Sequence, residues 1–195
     1  MSETRQLWLL AGGNGAGKTT FYRLFLEPRG IKCINADLIA GNLAPEHPEA
    51  ASYQAARLAE RLRSDLLDKG LSFCLETVFS HVSKIDLIGK VKALGYEVNL
   101  VYIHLEGSEL NEARVSQRVS EGGHDVPADK IRSRIPRTMN NIATILPLVD
   151  SARLLDNSSR ENPFQQVAVV RRGRKTILAD PLPRWAEEIL RAIPS

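Results

Sequence analysis

Apolar positions in this chain follow two patterns, short uninterrupted runs and longer segments with helical spacing. Residues 7–11 form an unbroken apolar run, which is typical of a strand buried on both faces of a parallel sheet. Similar short runs predict strands at residues 32–35, 71–75 and 98–105, and a fifth at residues 153–155. Longer segments separate these runs, so strands and helices are expected to alternate.

The longer segments have apolar residues on one face of a helix. They predict helices at residues 18–26, 48–69, 82–94 and 108–118, and one that starts near residue 128. Pro136 is expected to kink or divide the last helix, because proline lacks the N–H donor and clashes with the preceding turn. Near the end of the chain, residues 167–170 and 176–178 predict a β-hairpin, and residues 183–193 predict a short helix.

Strands that alternate with helices predict an α/β fold, with a parallel five-stranded sheet covered by helices on both faces and a C-terminal β-hairpin and helix. No repeat, low-complexity segment or linker divides the sequence, so residues 1–195 are expected to form one domain. In such sheets, ligands bind beyond the carboxyl ends of the strands. The polar groups that follow predicted strands are the loop at 12–19, Asp37, Glu76 with Thr77, and Asp156 with Asn157.

The loop after the first strand matches the phosphate-binding pattern G-x-x-x-x-G-K-[ST] in full, between a strand and a helix. Its glycines let the backbone approach phosphate groups, and its N–H groups point at the anion. We expect Lys18 to reach the β- and γ-phosphates of ATP, Thr19 to hold Mg²⁺ and Thr20 to contact the α-phosphate. The predicted nucleotide contacts are Gly12, Gly13, Asn14, Gly15, Ala16, Gly17, Lys18, Thr19 and Thr20.

Composition adds a few limits to this picture. The chain has 195 residues, a net charge of +3 and a pI of about 9.0. This small excess suits an anionic ligand such as a nucleotide but does not predict nucleic-acid binding, because the basic residues are not gathered in one run. Cys33 and Cys74 lie in apolar runs and are expected to be reduced thiols. Neither a signal peptide nor a membrane span is apparent, so a cytoplasmic location is expected.

Three classes of protein use such a loop. A switch or motor ATPase has an apolar run ending in an aspartate that holds Mg²⁺, and the run at 98–105 ends in Glu106 instead. A GTPase needs an Asn-Lys-x-Asp guanine reader, which this sequence lacks. A small-molecule kinase needs a carboxylate base near the acceptor hydroxyl and a mobile lid with arginines. This sequence offers both.

Two carboxylates are candidates for the chemistry. Asp37 follows the second strand and is expected to accept the proton of the acceptor hydroxyl, although an aspartate there is also a common helix N-cap. Glu76 ends the third strand and is expected to bind Mg²⁺ or a substrate hydroxyl, or else to hold a backbone N–H. Thr77 would share this substrate site.

The candidate lid spans residues 114–137 and has arginines on both sides of a glycine break at 122–123. Their expected role is to close over the triphosphate, although a solvated basic face is the common alternative. The arginines are Arg114, Arg118, Arg132, Arg134 and Arg137. His124 is more often a loop hydrogen-bonder than a ligand contact. Asn157 is expected either to contact the adenine or to form an Asx turn.

Together these pieces resemble the zeta-toxin-like family of P-loop kinases, over roughly residues 5–158. The order and spacing of the pieces is more specific than the loop alone. They are the loop at 11–20, Asn35-Ala36-Asp37, Glu76-Thr77, the segment 118–127 with Arg134 beyond it, and residues 156–158. The resemblance implies a fold related to nucleoside monophosphate kinases, ATP and Mg²⁺ as cofactors, and a hydroxyl as phosphoryl acceptor.

Zeta toxins phosphorylate UDP-N-acetylglucosamine and are restrained by a protein antitoxin. The resemblance therefore implies that Asp37 is the base and that Glu76 and Thr77 place the substrate. It also implies that Arg118 and Arg134 bind ATP and are catalytic residues together with Lys18.

One departure concerns the acceptor. The family has an arginine shortly after the Glu/Thr pair, and residues 78–81 here contain none. Another sugar, a nucleoside or an antibiotic therefore stays open as acceptor. A nucleotide-dependent ATPase or binding protein, with no small-molecule acceptor, is the alternative from another class.

Overall fold

Seven strands form one sheet in the computed structural model, which describes residues 4–123 and 125–194 without the side chain of Glu49. They are β1 (Gln6–Gly12), β2 (Lys32–Asn35), β3 (Phe73–Thr77), β4 (Glu97–His104), β5 (Ser151–Asp156), β6 (Gln165–Arg171) and β7 (Arg174–Ile177). The sheet order is β2-β3-β1-β4-β5-β6-β7. Strands β1 to β5 pair in parallel, and β6 and β7 continue the sheet antiparallel.

The parallel five-stranded arrangement is confirmed, but the prediction that the sheet ends there is wrong. The C-terminal hairpin belongs to the same sheet, because β6 pairs along the edge of β5. An unpaired strand edge leaves backbone N–H and C=O groups without partners, and the hairpin supplies them for β5.

Helices and helical turns connect the strands. The α-helices are α1 (Lys18–Phe21), α2 (Ala36–Leu43), α3 (Ser52–Asp68), α4 (Ser83–Ala93), α5 (Ser108–Ser120), α6 (Ala128–Ile145) and α7 (Arg184–Leu190). A π-helical turn at Tyr22–Leu26 and a 3₁₀ turn at Glu27–Arg29 extend α1, and a 3₁₀ turn at Pro48–Ala51 precedes α3. Helix α6 runs through Pro136, so the proline does not divide the helix, and the expected kink stays a prediction.

Helix α2 had no counterpart in the predicted elements. Its N-cap is Asn35, whose side-chain oxygen accepts hydrogen bonds from the N–H groups of Asp37 (2.9 Å) and Leu38 (3.2 Å). This cap starts a helix directly after β2. Asp37 is therefore a first-turn residue rather than the cap, and its exposed carboxylate is not used to begin the helix.

The core lies on both faces of the sheet. Successive side chains of a strand point to opposite faces, so Leu9 joins one buried cluster and Leu10 joins the other. Residues of α3, α4, α6 and α7 complete the first cluster, and α1 with the turn behind it completes the second. The expected coverage by helices on both faces is confirmed.

The register of β3 sets the position of the site. The strand was predicted at 71–75 but lies two residues later, with Leu71 46% exposed and Glu76 and Thr77 buried in the strand. Glu76 pairs in register with Leu10 of β1 and Asn35 of β2. The carboxyl ends of these strands therefore meet at one edge of the sheet.

Two further features follow from the same elements. Cys33 and Cys74 are free thiols at paired positions of β2 and β3. In the described part of the chain, none of the helices has both the length and the apolar character needed to cross a membrane.

Candidate active site

The phosphate-binding loop leaves β1 at Gly12 and enters α1 at Lys18. A Cβ atom added to Gly12 would lie 2.3 Å from the carbonyl oxygen of Ile103, so the close approach of β1 and β4 requires glycine here. Gly17, the residue before α1, has φ 96°, in the left-handed region that glycine adopts without strain. The loop conformation therefore depends on glycine at both of its ends.

The ammonium group of Lys18 lies against this loop. Its Nζ atom donates to the carbonyl oxygens of Gly12 (3.0 Å) and Gly13 (2.9 Å). Burial lowers the pKa of Lys18, and these two hydrogen bonds hold the charged group in the loop.

Four other predicted residues contribute to the electrostatic field at Lys18. The carboxylates of Glu76 and Asp37 raise the pKa of Lys18, and the guanidinium groups of Arg118 and Arg134 lower it, all by less than burial does. Such electrostatic interactions are stronger in a buried site than in water. The fold thus gathers around one lysine the residues that the sequence places on four separate elements.

Thr19 and Glu76 form the direct link between the loop and β3. The Thr19 hydroxyl donates to Glu76 Oε1 at 2.8 Å. The second carboxylate oxygen, Oε2, is buried and accepts no hydrogen bond from the described residues. Hydroxyl and carboxylate oxygens are the ligands that Mg²⁺ prefers, and it commonly takes one or two from the protein and others from phosphates. The donor set therefore fits Mg²⁺ bound together with a nucleotide.

Two buried asparagine side chains donate hydrogen bonds to backbone carbonyl groups of the loop. Asn111 of α5 donates to the carbonyl oxygen of Asn14 at 2.6 Å, and Asn157 donates to that of Ala16 at 2.9 Å. The side-chain oxygen of Asn157 accepts from the N–H of Phe164 at 3.1 Å. The Asn157 amide is thus engaged within the protein as a support for the loop, and its contact with adenine stays a prediction.

The lid arginines separate into two groups. Arg132 makes a bidentate pair with Glu112, with N–O distances of 2.6 and 2.8 Å, and Arg137 bonds Ser133 of its own helix. Both therefore serve within the lid segment.

The other arginines lie nearer the loop. Arg134 donates to the Asn14 side chain at 3.4 Å, Arg118 acts electrostatically on Lys18, and Arg114 donates to the carbonyl oxygen of Asn157 at 2.7 Å. His124 lies outside the described residues.

A cavity of about 350 Å³ adjoins the loop, between α2 and the start of α6. This volume is within the range of small-molecule pockets. The lining residues are Asn14, Asp37, Ala40, Pro48, Ser52, Val126, Pro127, Lys130 and Arg134. Asp37 and Arg134 were predicted site residues, whereas Ser52 and Lys130 were not.

Helix α6 is tied to the loop that follows Thr77. The Thr138 hydroxyl donates to the carbonyl oxygen of Val78 at 2.9 Å, and the Asn141 amide donates to that of Phe79 at 3.0 Å. Phe79 is fully buried with φ 63°, a conformation that non-glycine residues rarely adopt. The helix that carries Arg134 is therefore fixed to the segment behind Glu76 and Thr77.

Sequence reasoning missed two residues of this region. Lys84, in the first turn of α4, donates from Nζ to the Thr77 hydroxyl. Its position eight residues after Glu76 was the available signal, because the first turn of the next helix faces the end of the strand. Asn111 gave no signal, since a polar residue within an amphipathic helix is usually exposed.

The structure has the fold of the P-loop kinases, with the phosphate-binding loop between β1 and α1. A family model described as Zeta toxin matches residues 1–180, and the chain belongs to this family. The resemblance seen in the sequence is therefore confirmed.

The chain is also similar to individual proteins. An uncharacterized protein of Haemophilus influenzae is 31% identical over 137 residues, which are 67% of this chain and 97% of that protein. A chain from the AvrRxo1-ORF1:ORF2 complex with ATP has a TM-score of 0.74 at 21% identity, over all of this chain and 66% of its own length. A chain of the PezAT toxin–antitoxin system of Streptococcus pneumoniae has a TM-score of 0.67 at 20% identity, covering 98% of this chain and 84% of its own. The two structural likenesses establish the fold.

Proposed function

We propose that this protein is an ATP-dependent kinase that transfers the γ-phosphoryl group to a hydroxyl group of a small molecule. The observation that carries the proposal is the arrangement around the phosphate-binding loop. Glu76 accepts a hydrogen bond from Thr19, Arg134 donates to Asn14, and Asp37 lines the adjoining cavity. Arg118 also acts on the charge of Lys18. A phosphate-binding loop alone serves many reactions. A loop with an exposed carboxylate and arginines nearby has the parts that phosphoryl transfer requires.

In the proposed reaction, the acceptor hydroxyl oxygen forms a bond to the γ-phosphorus while the bond from that phosphorus to the β,γ-bridging oxygen breaks. ADP leaves, and the hydroxyl proton passes to the Asp37 carboxylate. Lys18 binds the β- and γ-phosphates, and Arg118 and Arg134 neutralise charge that develops on the transferred group. Closure of the lid at 114–137 would exclude water from this step.

Mg²⁺ is the cation we propose for the Thr19–Glu76 pair, where it would neutralise charge on the β- and γ-phosphates. The buried Glu76 Oε2 atom, which accepts no hydrogen bond from the described residues, supports this proposal. The further proposed nucleotide contacts are the loop residues Gly12 to Thr20 and Arg114. Asn157 is also proposed to contribute to nucleotide binding, because it supports the loop.

The proposed acceptor site combines the cavity beside Asp37 with Glu76 and Thr77 at the end of β3. UDP-N-acetylglucosamine is the first acceptor to test, because the chain belongs to the Zeta toxin family. The absence of an arginine at 78–81 argues against assigning the family's substrate to this chain without a test.

The test follows label from γ-labelled ATP into UDP-N-acetylglucosamine and into a bacterial metabolite extract. We expect wild type to label a metabolite, Lys18→Ala to lose on the order of 100-fold or more in rate, and Asp37→Asn about 100-fold or more. The matched controls are Lys90→Ala and Asp65→Asn, which change exposed residues on α4 and α3.

Two results would count against the proposal. Label that appears only as inorganic phosphate, at equal rates in wild type and Asp37→Asn, means ATP hydrolysis without an acceptor. That outcome supports the nucleotide-dependent ATPase or binding protein instead. Equal loss in Asp65→Asn and Asp37→Asn would remove Asp37 from the role of base.

We further propose a toxin role with a protein antitoxin as partner. The support is family membership and the structural likeness to a chain of the PezAT toxin–antitoxin system. Expression of wild type in bacteria should arrest growth, Lys18→Ala should relieve the arrest, and Lys90→Ala should not. Unimpaired growth with an active wild-type enzyme would contradict this role.

A further inference from the structure

Lys84 is a half-buried lysine beside the proposed acceptor site. The proposed reaction gives this residue no role. Its Nζ atom donates to the Thr77 hydroxyl, which also accepts a hydrogen bond from the N–H of Phe79 at 3.1 Å. An ammonium group has three N–H donors, so Thr77 uses one of them. Within the described part of the chain, no carboxylate lies within ion-pair distance of this ammonium group.

The surroundings of Lys84 disfavour its charge. The pKa of Lys84 is lowered to about 8, mainly by burial, and the nearby guanidinium groups of Arg63 and Arg134 and the ammonium of Lys18 contribute to this lowering. Among the groups that the structure describes, only the carboxylate of Asp37 acts in the opposite direction. A cation kept in such a place does not stabilise the fold, because desolvation and like charges both oppose it. Groups of this kind are concentrated at functional sites.

The position of Lys84 points to the acceptor rather than to ATP. Lys18, Arg118 and Arg134 already surround the phosphate-binding loop. Lys84 stands on α4 instead, in contact with Thr77 of the proposed acceptor site.

We propose that Lys84 is an acceptor-binding residue, whose ammonium group binds an anionic phosphate or carboxylate of the molecule that is phosphorylated. This inference rests on the proposed kinase function. An anionic group beside Lys84 would restore the favourable environment that the protein alone does not give this charge. It would also orient the acceptor hydroxyl toward Asp37, which interacts with both Lys18 and Lys84. Lys84 would thus select anionic acceptors over neutral sugars and nucleosides.

The test separates the metabolite extract by anion exchange into an anionic and a neutral fraction, and incubates each with γ-labelled ATP and the full-length protein. We expect label to enter metabolites of the anionic fraction only. Mass spectrometry of the labelled product then identifies its anionic group as phosphate or carboxylate.

Kinetics with the identified acceptor test the residue itself. Lys84→Met should raise the KM for the acceptor by about tenfold or more while the KM for ATP changes by less than about twofold, and Lys84→Arg should restore most of the acceptor affinity. Lys90→Met, on the exposed face of the same helix, is the control. The Lys84→Met substitution removes a charge that its surroundings disfavour, so the variant should fold. Thermal unfolding checks this.

Each other outcome has a definite meaning. Label in a neutral metabolite overturns the role of Lys84 and leaves the kinase proposal intact. An unchanged KM for an anionic acceptor in Lys84→Met, or an equal rise in the KM for ATP, also overturns it. No labelled metabolite in either fraction, with free phosphate released, overturns the kinase proposal and this inference together.

Discussion

The Thr19 hydroxyl donates to Glu76 Oε1 at 2.8 Å, across 57 residues of sequence. The bond joins the phosphate-binding loop to the end of β3 at the edge of the sheet where the parallel strands end. It leaves the second carboxylate oxygen buried and without a hydrogen-bond donor among the described residues. A hydroxyl and a carboxylate, the kinds of oxygen that Mg²⁺ prefers, are thus fixed together near Lys18.

The first prediction concerns this pair. Glu76→Gln should weaken Mg²⁺ binding by about 10- to 100-fold, because an amide is a poorer ligand than a carboxylate. The measurement is the rate of ATP consumption as a function of Mg²⁺ concentration at fixed ATP. Glu187→Gln, an exposed change on α7, should leave the Mg²⁺ dependence as in wild type. An unchanged dependence in Glu76→Gln would exclude Glu76 as a metal ligand.

A second prediction concerns the support of the loop by Asn157. Asn157→Ala removes the donor to the Ala16 carbonyl and the acceptor for the Phe164 N–H, and so should lower the free energy of unfolding by about 1–3 kcal/mol. ATP affinity should fall with it, since the loop loses a fixed position. Urea denaturation and calorimetric titration measure the two effects. Asn162→Ala is the exposed control, and a change in ATP affinity alone would mean that Asn157 contacts the nucleotide directly.

The third prediction tests the close approach of β1 and β4. Gly12→Ala places a methyl group against the Ile103 carbonyl and should cost about 1–3 kcal/mol of unfolding free energy, with loss of ATP binding. Gly89 lies in α4 with open space around it, so Gly89→Ala should stabilise the protein by about 0.5–1 kcal/mol. Urea denaturation compares the two alanine variants. Equal stability of both would show that the Gly12 contact is not restrictive.

The fourth prediction concerns acid stability. His104 is buried, stacked on Trp185 at 4.6 Å between ring centroids, and burial lowers the pKa of His104 from 6.5 to about 4. Between pH 6.5 and 4 the imidazole is therefore protonated in the unfolded chain but stays neutral in the folded chain. The free energy of unfolding should decrease as the pH is lowered through this window. The loss should reach about 2–3 kcal/mol near pH 4.

Urea denaturation at pH 7 and pH 4.5 measures this effect. The decrease should be smaller in His104→Gln, which has no group that titrates there, and unchanged in His47→Gln, where the histidine is exposed. A decrease of the same size in His104→Gln would assign the acid sensitivity to other groups.

Local rules were enough to predict the loop and the sheet around it. The spacing of glycines, Lys18 and Thr19 fixes a backbone conformation within a few residues, because it depends on glycine dihedral angles and on a helix that begins at once. The apolar runs placed the five parallel strands, and the topology of such sheets implied that Asp37, Glu76 and the loop share an edge. The sequence by itself therefore determined the class of site and most of the residues assigned to it.

Only the tertiary structure decided how those residues are used. Whether Asp37 or Asn35 caps α2 depends on the geometry at the end of β2, and Asn35 takes the position. Arg132 and Arg134 look equivalent in sequence, yet one pairs with Glu112 and the other reaches Asn14. Such choices depend on which partner lies within a few ångströms after folding.

The same reason explains Lys84 and the hairpin. Lys84 meets Thr77 because α4 folds back against the end of β3, and the hairpin joins the sheet because β5 has an edge to pair. Both contacts join elements that are neighbours along the chain, but the apolar pattern of each element does not specify which of its groups meet after folding. The sequence determines which groups are present and the local conformation of each strand and loop. Packing alone sets the distances on which hydrogen bonds and charge interactions depend.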